Sequence, residues 1–60
     1  MVELSKKILI KVSFDQYLFQ KELKKAVRWI KDSEELRSFK EWCIIEFGHL
    51  YPSTIKAVFN

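Results

Sequence analysis

The chain has one glycine, one proline, one cysteine and one histidine in 60 residues, and each scarcity removes something. A phosphate-cradling loop needs several glycines, so none is expected. No stretch reads as a linker or a low-complexity tail, and no internal repeat is visible. Cys43 has no partner for an intrachain disulfide, and an unpaired cysteine suits a reducing compartment. Cys43 and His49 together cannot fill a four-ligand structural zinc site, so neither a metal nor another cofactor is expected. Long hydrophobic runs are missing too. The longest are Ile8–Ile10 and Trp42–Ile45, far short of the roughly 20 apolar residues that span a bilayer. The N-terminus lacks the apolar stretch and small-residue cleavage site of a signal peptide. The expectation is a cytoplasmic protein with no membrane partner.

Catalytic machinery is scarce by the same count. No set of nucleophile, base and orienting group can be assembled. His49, beside Gly48, reads as a turn residue. Cys43 falls on an apolar helical face and reads as a small buried hydrophobe. Glu34 and Glu35 suit the first turn of a helix. No catalytic residue is assigned, and no enzyme is expected.

What the chain does have is apolar bulk: 48% of its residues are hydrophobic and 15% aromatic. A chain of this length makes one small domain, residues 1–60, and buries only about 60% of its unfolded surface. Such apolar excess suggests a core completed by self-association, with a homodimer as the expected state. Charge is unevenly placed. Residues 1–31 hold eight basic side chains against three acids, a balance of +5, while residues 32–60 carry −2, giving the formal +3. A basic half of this kind suggests a surface aimed at a polyanion.

Periodicity divides the chain into four elements. In residues 6–12, Ile8, Ile10 and Val12 alternate with Lys7, Leu9 and Lys11, which predicts a half-buried strand. Ser13 with Gln16 then resembles a capping box, opening a helix over 14–31 whose stripe is Phe19, Leu23, Ala26, Val27 and Ile30. Asp32 or Ser33 caps a second helix over 33–47, striped by Leu36, Phe39, Cys43 and Phe47 and stopped by Gly48 in a left-handed conformation. Residues 52–59 stay open between two readings. Pro52 suits the first turn of a short helix, yet Ile55, Ala57 and Phe59 also alternate as in a strand, and helix is preferred. The fold class is therefore mainly α with an N-terminal β-strand, with a small α+β arrangement as the alternative.

The first helix has a second stripe. Lys21, Lys24, Lys25, Arg28 and Lys31 fall opposite its apolar face, diluted only by Glu22. Such a row could follow a phosphate backbone, where each neutralised phosphate releases counterions. Trp29, between the two stripes, and Trp42 could stack on bases if exposed, but core or interface positions are the preferred reading for both.

Residues 43–58, Cys-Ile-Ile-Glu-Phe-Gly, then a short turn, then Pro-Ser-Thr-Ile-Lys-Ala-Val, resemble the helix-turn-helix of DNA-binding regulators. That resemblance implies Gly48 as the turn glycine, Ile55 as the buried anchor, and Ser53, Thr54 and Lys56 facing nucleic acid. The turn is one residue longer than the common form, and the final helix is short. A strand followed by two helices also resembles the ribbon-helix-helix repressors, which implies paired strands with Lys7, Leu9 and Lys11 facing DNA. Here the glycine turn usual between the two helices is missing. The expected function is a small basic nucleic-acid-binding protein, DNA-binding and regulatory, with duplex DNA as partner. The alternative is a protein–protein interaction module or homodimeric adaptor.

Overall fold

The computed structural model describes residues 2–59, and they form four helices: α1 (Val2–Val12), α2 (Gln16–Trp29), α3 (Ser33–Phe47) and α4 (Pro52–Phe59). No strand occurs among the described residues, so the expected N-terminal strand, and with it any α+β arrangement, is corrected to helix. The reason lies in a longer period than the one first visible. Ser5 and Leu9 are buried, and Val2 and Val12 pack partly against the core. These positions step by three, four and three, which is one face of a helix. Leu9, assigned to the outer face of the strand, is fully buried, while Ile10, assigned inward, is exposed. Glu3 in the first turn and Lys11 in the last suit the helix dipole.

The second helix is shorter than expected, and its cap lies two residues further on. The Asp15 carboxylate accepts from the backbone N–H of Tyr17 at 2.9 Å and of Leu18 at 3.2 Å. Ser13 instead closes α1, its hydroxyl donating to the Ile10 carbonyl at 2.9 Å. Helix α3 starts on the same chemistry. Asp32 accepts from Glu34 N–H at 2.8 Å and Glu35 N–H at 3.1 Å, and two glutamates occupy the first turn, where the dipole favours them. Gly48 ends α3 with φ −61° and ψ −31°, a right-handed conformation. Its expected left-handed turn is thus corrected: glycine is needed because a Cβ there would collide with the Ile44 carbonyl oxygen. Residues 52–59 are helical.

Helix α1 packs on α2, and α4 packs on both α2 and α3. The core joins Leu9, Phe19, Leu23, Ala26, Ile30, Phe39, Cys43, Phe47 and Ile55. Phe19 lies at its centre, with ring centroids 4.9 Å from Phe47, edge-on, and 4.8 Å from Tyr51. Trp42 meets Phe47 edge-on at 5.5 Å, and the Lys6 ammonium sits 5.4 Å from its ring centroid, a cation–π contact between α1 and α3. Two hydrogen bonds tie the α1–α2 corner to the α3–α4 corner: the Tyr51 hydroxyl donates to the Ser13 carbonyl at 2.7 Å, and Gln16 Nε2 donates to Thr54 Oγ1 at 3.3 Å. The radius of gyration is 10.1 Å, against about 10.4 Å expected for a folded chain of this length, so these four helices close into a compact unit. None of the described helices is long and apolar enough to cross a membrane.

Candidate nucleic-acid interface

Helix α2 turns Phe19, Leu23 and Ala26 into the core. At about 100° per residue, the opposite face falls to Lys21, Lys24, Lys25 and Arg28, and all four are exposed. With Tyr17 and Gln20 they line one shallow depression of about 330 Å³. Helices α1 and α4 both pack on α2, and the strip lies opposite the residues that α2 buries.

Charge on the strip is poorly compensated. Glu22 approaches Lys25 at 3.8 Å, and among the described residues the other ion pair joins Lys6 to Glu3 at 3.6 Å on α1. Lys21, Lys24 and Arg28 have no ion-pair partner among those residues. Lys21 repels Lys24 and Lys25, and Arg28 repels the same two, at helical spacings of three and four. Each such pair costs an isolated helix about 0.2–0.5 kcal/mol. A bound polyanion would turn that cost into attraction.

The remaining sequence candidates are dispersed. Lys7 and Lys11 are exposed on α1 but do not line the depression. Lys31 is exposed beyond the end of α2. Ser53 is exposed on α4, and Lys56 borders a separate groove. Thr54, expected to face nucleic acid, is only 6% exposed and is held by Gln16. Ile55 is buried. Residues 7, 9 and 11 lie on helix α1, so the ribbon on which Lys7, Leu9 and Lys11 were to be displayed is not formed. Tyr17 and Gln20 were missed as wall residues. The signal was present, since each stands four residues before a lysine of the stripe.

The separate groove runs between α3 and α4. It measures about 300 Å³ and is lined by Ile44, Gly48, Pro52, Ile55 and Phe59, with Lys40 and Lys56. Cys43, also on α3, lies in the core, fully buried. Burial pushes its thiol up to about 12, with Lys6 pulling weakly the other way, so it remains a neutral thiol near neutral pH. No group of three or more metal-ligating side chains occurs among the described residues.

No protein-family model matches the chain, and neither curated proteins nor solved structures give a match.

Proposed function

We propose that this is a small nucleic-acid-binding protein that holds the phosphate backbone on the outward face of α2. The observation that carries the reading is the gathering of Lys21, Lys24, Lys25 and Arg28 around one depression. Affinity comes chiefly from lysine and arginine contacts to phosphate, and counterion release makes it steeply salt-dependent. Four contacts give a log–log slope of about −3.6 on duplex and about −2.8 on single strands. The test is a fluorescence titration of the wild type and of a variant with all four changed to Glu, at several salt concentrations. Binding should vanish in the variant while its helical spectrum and melting stay close to wild type, because the strip faces away from the core. No binding by the wild type at low salt, to duplex or single strands, rules the reading out. A variant that binds as well as wild type moves the site, with Lys7 and Lys11 as the next candidates.

A second reading, self-association, is favoured by the apolar groove between α3 and α4 and by Ile45, 74% exposed on α3. A second copy is the occupant with matching charge: Lys40 and Lys56 border the groove, and α3 also carries exposed Glu41 and Glu46. Sedimentation at tens of micromolar should then show a dimer that Ile44→Asp converts to monomer. A wild-type monomer throughout that range removes it.

A further inference from the structure

We infer that the polymer held on α2 is single-stranded, with bases stacked on Tyr17 and Phe14 while its phosphates pass Lys21, Lys24, Lys25 and Arg28; this rests on the nucleic-acid reading of the same face. Tyr17 is a wall of the cationic depression and is 72% exposed. Its hydroxyl has no hydrogen-bond partner among the described residues, although its backbone N–H is used by the Asp15 cap. Phe14 is 79% exposed, the most exposed large apolar side chain of the chain's described part. It sits in the α1–α2 corner, three residues before Tyr17, so the two Cα atoms are at most about 11 Å apart. Neither ring is among the aromatic pairs that build the core, which involve Phe19, Phe39, Trp42, Phe47, Tyr51 and Phe59.

Single exposed aromatics are common and need no explanation. Two at the same end of a cationic row are a different arrangement. Bases offer a π-face to such rings only when they are unpaired or terminal, because inside a duplex both faces are covered by neighbouring pairs. A positively charged track with aromatic platforms is the general design of single-strand binding. From Lys21 to Arg28 the helix rises roughly 10 Å, the reach of a few consecutive nucleotides of one strand. A single row on one helix face follows one backbone, not two.

The experiment uses fluorescein-labelled oligothymidylate, an abasic polymer of equal length, and a duplex of equal length, each titrated at several salt concentrations. The proteins are wild type, Tyr17→Ala and Phe14→Ala. Wild type should prefer thymidylate to both competitors. Each alanine variant should lose about 5- to 150-fold affinity for thymidylate, with its salt slope and thermal melting unchanged and its weak abasic binding unaffected. Duplex bound as tightly as thymidylate, or alanine variants that bind thymidylate like wild type, would overturn the single-strand inference and leave nucleic-acid binding standing. Absence of binding to all three polymers at low salt would overturn both.

Discussion

Cys43 illustrates how burial turns a reactive group into a packing element. Its side chain is fully buried in the apolar core, and desolvation raises its pKa from 9.0 to about 12. In the unfolded chain the thiol ionises near the ordinary value, so raising the folded value ties stability to the neutral form. That contribution is fully present below about pH 9 and is lost as pH rises toward 12. The loss amounts to about 1.4 kcal/mol per pH unit at most. Urea midpoints measured between pH 8 and 11 should therefore fall more steeply for wild type than for Cys43→Ala, even though the variant starts lower because of the cavity it leaves. Parallel curves for the two proteins would contradict this. Gly48 shows the other residue-scale lesson. The glycine could be read as the end of a helix, but the reason for it, the closeness of the Ile44 carbonyl, is a matter of backbone geometry in the last turn of α3 that residue spacing does not report.

At the scale of elements, legibility followed length. Helix α3 was readable at both ends, Ser33 and Phe47, because Asp32, two first-turn glutamates and a long apolar stripe all agree. In α2 the buried Phe19, Leu23 and Ala26 were readable from spacing alone, while the cap was not. Ser13 and Asp15 both carry oxygen acceptors, and only the path of the corner decides which one reaches the free N–H groups; a cap of this kind contributes about 1 kcal/mol. Helix α1 was misread because Ile8, Ile10 and Val12 alternate over a window too short to separate a period of 2 from 3.6. Ser5, a buried polar residue at a core position, hid the helical stripe further. The residues of α4 fit both periods, and its packing on α2 and α3 settles them as helix. For the site, the cationic face was legible because it depends on one helix only. The burial of Thr54 was not, because its Gln16 partner lies 38 residues away in sequence, and periodicity reports which face is apolar but not what lies against it.

For the whole molecule, the uneven charge of the sequence becomes an uneven distribution of tasks. Lys6 is drawn inward over Trp42, whereas the α2 cations stay in solvent. Another unevenness lies in the corners. Tyr51 and Gln16 tie the α1–α2 and α3–α4 corners to each other. The joint between α2 and α3 has no such tie among the described side-chain hydrogen bonds. It is anchored by Ile30, 5% exposed, with Lys31 and Asp32 in solvent. To a protease the two tied corners are closed and the third is open, since cleavage needs several residues to leave the surface together and exposed connections do so most readily. Limited digestion with a broad-specificity protease, followed by mass spectrometry, should give a first cut near residue 31. A first cut at 13–15 or 48–51 would show that the paired corners offer no protection. A cut there would leave a nicked chain of two helical pairs still held together through the paired corners and the α2–α4 contact.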